Sequence, residues 1–285
     1  MSYNNSVLTR IFTQNSLKEL ILNNEAPMLD NIVRRYDIKY DGNTKYEEII
    51  SEIYQYLGKN YRNEYYYKNT LLNKLIISAH KVKSTIALTE VPIAKSKADI
   101  IMINGKAVVY EIKTELDSFD RLQTQINDYY KAFDYVCVVT DESRLKSLQQ
   151  LLHYAPVGIY VLSKRGAIHK IKEPEEYNAS LDKGIIYKIL NKPEYEEIIK
   201  EKYGTLPEVT PVNYYRECKR LFCELPIETA YSAFLAQLKK RSRIENINFS
   251  GIPYSLRFLV YFSKYNSNGI TELMAYLNQT YKEGH

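Results

Sequence analysis

The stretch Lys97-Ala98-Asp99-Ile100-Ile101-Met102-Ile103-Asn104-Gly105-Lys106-Ala107-Val108-Val109-Tyr110-Glu111-Ile112-Lys113 decides the reading of this chain. Two apolar runs are joined by Asn104-Gly105, a pair that favours tight hairpin turns. Asp99, Glu111 and Lys113 lie in these runs or at their ends. A charge in an apolar strand is costly unless it is paired or bound to a metal. Two carboxylates beside a lysine are a donor set for a hard divalent cation and a water. Side chains alternate faces along a strand, so the turn decides whether these groups meet. A two-residue turn pairs Ile103 with Lys106 and puts Asp99 and Glu111 on opposite faces. A three-residue turn with Gly105 left-handed sets Asp99 opposite Val109 and diagonal to Glu111, on one face with Lys113. A shared site therefore predicts the bulged turn, or a bulge within a strand.

Outward from the hairpin, the pattern alternates strands and helices. Residues 85–93 read as a strand, and residues 61–81 as a helix with Glu64, Lys68, Leu71, Leu75 and Ala79 on one face. Glu64 is either a solvated first-turn glutamate favoured by the helix dipole or a group turned toward the sheet. Downstream, Ser118 is a candidate N-cap for a helix to about Phe133, with Leu122, Ile126, Tyr129 and Phe133 as its buried stripe. Tyr135–Thr140 is a continuous apolar run, as in a strand covered on both faces. A helix over Ser143–Leu152, a strand over Val157–Leu162 and an edge strand over Ala167–Ile171 follow. This order predicts an α/β domain with a mixed sheet over residues 61–172.

Residues 1–60 form a helical N-terminal region, with stripes at Leu8, Ile11 and Phe12, at Leu29, Ile32 and Val33, and at Ile49, Ile50, Ile53 and Leu57. It is read as a helical cap on the next domain, with a small DNA-binding unit as the alternative. Residues 173–285 form a helical C-terminal region, with its clearest helix over Ile227–Lys240. Lys239, Lys240, Arg241 and Arg243 are either a phosphate contact or cations at a helix end.

Composition excludes little else. The 285 residues are 45% hydrophobic, carry a net charge of +5, and include 28 Tyr and no Trp. A mild positive charge suits a polyanion partner without requiring one. Cys137, Cys218 and Cys223 have no metal-ligand spacing, and their odd number predicts a reducing, cytoplasmic setting. No apolar run approaches the roughly 18 residues of a membrane span, and no phosphate-binding Walker loop occurs.

The order of a helical Glu, then Asp99, then Glu111-Ile112-Lys113, then a helix resembles the PD-(D/E)XK nuclease superfamily. Lys97-Ala98 stands where the motif's proline would precede the aspartate. The wider run through Thr114-Glu115-Leu116-Asp117-Ser118-Phe119-Asp120-Arg121-Leu122-Gln123-Thr124-Gln125, Tyr129 and Phe133-Asp134 looks like an uncharacterised nuclease-like family of bacteria and their phages. The resemblance covers residues 85–165 and implies a restriction-endonuclease-like mixed sheet flanked by helices. It implies a nuclease hydrolysing phosphodiester bonds in DNA with Mg²⁺, for which Mn²⁺ would substitute. Asp99 and Glu111 would hold the ion, with the Ile112 carbonyl as a third ligand and Glu64 completing the set; Glu90 is the alternative to Glu64. Lys113 would orient the attacking water or stabilise transition-state charge. Gln125 and Tyr129, four apart and so on one helix face, would touch the nucleic acid together with Arg121.

Three functions stay open at this level. A nuclease predicts metal-dependent cleavage. An inactive nucleic-acid-binding module predicts salt-sensitive binding indifferent to chelation. A helical interaction protein predicts a protein partner on the C-terminal helices and no affinity for DNA. A homodimer is a further expectation by analogy alone, and no membrane partner is expected.

Overall fold

The computed structural model describes residues 5–23, 27–78, 84–241, 248–263 and 265–283. Ala79 and Arg243 of the sequence reading lie outside them. In chain order the elements are α1 (Val7–Ile11), α2 (Gln14–Asn23), α3 (Pro27–Arg35), α4 (Tyr46–Asn60) and α5 (Glu64–Leu72). Then come β1 (Ile86–Ile93), β2 (Ser96–Asn104), β3 (Lys106–Ile112), α6 (Leu122–Tyr129), β4 (Tyr135–Asp141), α7 (Leu145–Leu151), β5 (Gly158–Leu162) and β6 (Ile168–Lys172). The chain closes with α8 (Lys183–Ile189), α9 (Lys192–Tyr203), α10 (Pro211–Glu224), α11 (Ile227–Lys240), α12 (Arg257–Phe262) and α13 (Ser267–Leu277).

Among the described residues the strands form one six-stranded mixed sheet in sequential order. β1, β2 and β3 are antiparallel neighbours, β3, β4 and β5 run parallel, and β6 returns antiparallel at the edge. The parallel pairs follow from the helices inserted between them, since a parallel connection needs a crossover. β4 is buried along its whole length, as its unbroken apolar run requires.

Period-two alternation divides the core. Ile100, Met102, Tyr110, Ile112, Cys137, Val139, Tyr160 and Leu162 face one layer, built from α1–α5 and residues 249–281. Ile101, Ile103, Ala107, Val109, Val136, Val138 and Ile159 face the other, built from α6–α11. Helices thus cover both faces; the first core draws on residues from either side of positions 60 and 172, and the second on residues from either side of 172.

The hairpin turn departs from both registers considered. Asn104 lies opposite Lys106, Ile103 opposite Ala107 and Ile101 opposite Val109, so Gly105 alone forms the tip. Gly105 is left-handed as expected, with φ +72°. Val109 therefore does not face Asp99. The register, continued past its last pair at Ile100 and Tyr110, sets Asp99 directly across from Glu111.

Two helices differ from their expected limits. α6 starts at Leu122 rather than Ser118, because the Ser118 hydroxyl bonds the Asp120 carboxylate and Asp117 caps a turn back at Thr114. Helix α5 passes into a π turn over Asn73–Ile77. There the Asn73 side chain donates to the Asn69 carbonyl, and the Ser78 N–H reaches five residues back to Asn73. A side chain inserted into the ladder in this way is a known cause of such irregularity.

A Cβ at Gly105 would meet nothing within 4 Å, so strain alone opposes a side chain there. Gly105→Ala is expected to lower stability by about 1 kcal/mol, and Gly105→Asn by less. Urea unfolding of the two variants checks this, and equal stability of wild type and Gly105→Ala would contradict the turn.

Candidate functional site

The site grows from a break in the pleat. Leu88 and Val91 both face the α6 side of the sheet, and so do Ala98 and Ile101 across from them. Alternation therefore slips by one residue on both strands, at Glu90 and at the facing Asp99. Glu90 carries the slip in a left-handed conformation, φ +58°, which costs a non-glycine residue energy and persists only where its surroundings enforce it. The Thr89 hydroxyl donates to the Asp99 carbonyl at 2.8 Å. The ladder between β2 and β3 ends here, and the Asp99 side chain takes over from it. Its Oδ2 accepts the Ile112 N–H at 2.7 Å.

Glu111 is 2% exposed, and its charge is met from three directions. Lys113 Nζ lies 2.8 Å from Oε1. Gln125 Nε2 donates to the same oxygen at 2.6 Å, while the Gln125 carbonyl accepts from Lys113 Nζ at 2.8 Å. The Tyr129 hydroxyl lies 2.5 Å from Glu111 Oε2 and 3.0 Å from the Lys97 carbonyl. Burial and then the Glu111 charge raise Tyr129, so it keeps its proton and donates it. Gln125 and Tyr129 share a face of α6 because they are one turn apart. Asp128, on the same helix, pins it to the β1–β2 turn by accepting from Ser96 Oγ at 2.8 Å and from the Lys95 N–H at 3.2 Å.

A second group of carboxylates meets beside the first. Glu64, Glu90 and Asp99 each bring an oxygen to within 4.8 Å of the others. Among them sits the Lys68 ammonium, paired with Glu64 and Glu90 and 3.6 Å from Asp99 Oδ1. Lys97 also pairs with Glu90. Glu64 and Lys68 arrive on α5, which begins where the Asn63 side chain accepts the Tyr66 N–H. Arg62 holds that end to β5 through the Leu162 and Ser163 carbonyls.

Electrostatics follow from burial. Desolvation, then the Glu111 charge, push the Asp99 carboxyl up to about 8, against the pull of Lys68. Burial opposes the charge on Lys68, but Asp99 and then Glu64 outweigh it and push it up to about 12. Burial also disfavours ionised Glu90, yet its bonds to Lys68 and Lys97 hold it below the usual carboxylate range.

The structure thus brings Asp99, Glu111, Lys113, Gln125, Tyr129, Glu64 and Glu90 to one end of the sheet. Gln125 and Tyr129 spend their polar groups on Glu111 rather than standing open. Ile112 contributes its N–H to Asp99. Arg121 is exposed at the start of α6, outside this network among the described residues. Sequence reasoning missed Lys68 as a member of the site. Its one signal was a charge on the apolar stripe, one turn after Glu64. The basic cluster of the C-terminal region is partly engaged elsewhere: Arg241 pairs with Glu194 at 2.6 Å, and Lys240 pairs with Glu197.

These features define a mixed α/β protein with an acidic and lysine-rich cluster where its two helical layers meet the sheet. Residues 57–251 match the family model described as Bacteriophage P4 protein cII, and the chain belongs to that family. No curated protein matches. Among solved structures, the SPO1766 protein of unknown function from Silicibacter pomeroyi is similar at 15% identity, over 45% of this chain and 84% of that one. The TM-score of that similarity is 0.30. Among the described residues no helix is long and apolar enough to cross a membrane.

Native Asp99 keeps its proton to about pH 8, whereas the unfolded chain releases it near pH ~3.9. The native state binds more protons across that window, so its stability falls as pH rises. Relative to Asp99→Asn, the thermal midpoint of the wild type is expected to drop between about pH 5 and pH 8; parallel profiles would refute it. Tyr129→Phe leaves Glu111 Oε2 without that donor and should cost about 1–3 kcal/mol in chemical denaturation.

Proposed function

We propose that this protein is a metal-dependent nuclease of the PD-(D/E)XK type, with a restriction-endonuclease-like sheet, hydrolysing phosphodiester bonds in DNA. The observation that carries the reading is the convergence of Asp99, Glu111 and Lys113 at the splayed end of β2 and β3. Glu64 joins them from the preceding helix, and Gln125 and Tyr129 from the following one. Membership of a family described by a bacteriophage protein is compatible with a phage or mobile-element setting.

The donor set fits Mg²⁺ or Mn²⁺. Its groups are carboxylates, the hard oxygen ligands these ions prefer, and three of them present oxygens within 4.8 Å of one another. Asp99, Glu64 and Glu90 would hold the ion, with Glu111 across the strand from Asp99. When bound, the ion supplies a Lewis acid and a water of lowered pKa. The chain's own groups do the rest. Lys113 presents an ammonium to the charge that grows on the phosphoryl oxygens, an interaction stronger in the transition state than in the ground state. Gln125 holds both Lys113 and Glu111, which limits their motion during that charge build-up. Tyr129 holds Glu111 from the other side.

One observation favours a second reading, a nucleic-acid-binding module without turnover. Lys68 already neutralises the carboxylates, and both Glu111 oxygens already have donors.

A cleavage assay separates the two. With Mn²⁺ and linear, circular and single-stranded DNA, the wild type is expected to cleave, and Lys113→Ala and Asp99→Ala to lose about 10²-fold or more. A folded wild type that cuts none of the substrates, yet binds DNA with salt-sensitive affinity unchanged by chelator, would replace the nuclease with the binding module.

A further inference from the structure

We propose that Lys68 is a tethered counter-ion that competes with a divalent cation for Glu64, Glu90 and Asp99, so that an ion enters the site only as the Lys68 ammonium leaves it. The inference rests on the metal-dependent reading above and adds a device to it.

Geometry makes the two cations mutually exclusive. Lys68 Nζ contacts both Glu64 and Glu90 and lies 3.6 Å from Asp99 Oδ1. An ion held by those oxygens would sit about 2.0–2.1 Å from each if it were Mg²⁺. With the oxygens gathered within 4.8 Å, that position overlaps the volume already taken by the ammonium. Two positive charges so close in a partly desolvated cluster also repel strongly.

The same geometry allows Lys68 to leave. Its side chain is 8% exposed, but that of Glu64 beside it is 56% exposed, so the cluster opens to solvent on the α5 side. A lysine ammonium sits on a flexible four-carbon stem and is not locked in a planar fork. Two of the three carboxylates, in contrast, are held by groups other than Lys68. Asp99 is fixed by the Ile112 N–H, and Glu90 by its left-handed backbone and by Lys97. The Lys68 ammonium stabilises a carboxylate cluster that would otherwise carry unbalanced charge when no ion is bound.

The test titrates Mn²⁺ into the full chain without nucleic acid, reading free Mn²⁺ by electron paramagnetic resonance. Lys68→Met is expected to bind Mn²⁺ at least tenfold more tightly than wild type, and Lys68→Arg no more tightly. Equal or weaker binding by Lys68→Met, with the wild type still binding, would overturn the role of Lys68 and leave the metal site standing. No binding by either protein would overturn the metal site and this inference together. A measurement on the wild type covers the case in which the variants misfold. Acetic anhydride should modify Lys68 faster when Mn²⁺ is present, as read by peptide mass spectrometry, and unchanged reactivity would overturn the competition.

Discussion

Burying the Glu111 carboxylate is the constraint on which the rest of this site depends. A carboxylate with almost no solvent contact is costly unless nearby donors meet it. Three side chains meet it, and each imposes a condition on the fold. Lys113 must follow two residues later on the same strand face. Gln125 and Tyr129 must share one face of α6, and α6 must lie against the end of β3. Asp128 enforces that last condition by tying α6 to the β1–β2 turn.

Asp99 brings a second constraint at the same place. Its carboxylate replaces the missing ladder partner of Ile112, so β2 and β3 separate without leaving that N–H orphaned. The separation coincides with the slip in alternation at Glu90. Together these irregularities turn the end of a regular sheet into a cluster of charged and polar side chains. The opposite helical layer supplies the balancing charge. Helix α5 carries Lys68 there and is itself held by a buried amide network. Asn69 donates to the Tyr54 hydroxyl and the Tyr254 carbonyl and accepts the Phe258 N–H, and Asn73 accepts from Arg257. The C-terminal residues therefore position a helix of the candidate site although they lie far from it in sequence.

Much of the architecture was legible along the chain. β1 to β5, the edge strand β6 and helix α11 lie where periodicity put them, because burial on one or two faces of a strand leaves a strong pattern. The limits of α6 were misplaced, since a serine with N-cap chemistry spent its hydroxyl on a neighbouring aspartate. The hairpin register differed from both versions weighed, because Asn-Gly permits several turns and the pairing energy of the whole strand selects among them.

The sequence by itself determined the strand pattern and the left-handed glycine at the turn, and local periodicities of two and 3.6 residues put Glu111 with Lys113 on one strand face and Gln125 with Tyr129 on one helix face. Only the tertiary structure decided that Asp99 stands across from Glu111, that Glu90 breaks the pleat, and that Lys68 fills the space between Glu64, Glu90 and Asp99. These depend on how α5 crosses the end of the sheet and on a slip shared by two strands. Contacts of that kind are chosen by packing between distant segments, and no local pattern records them.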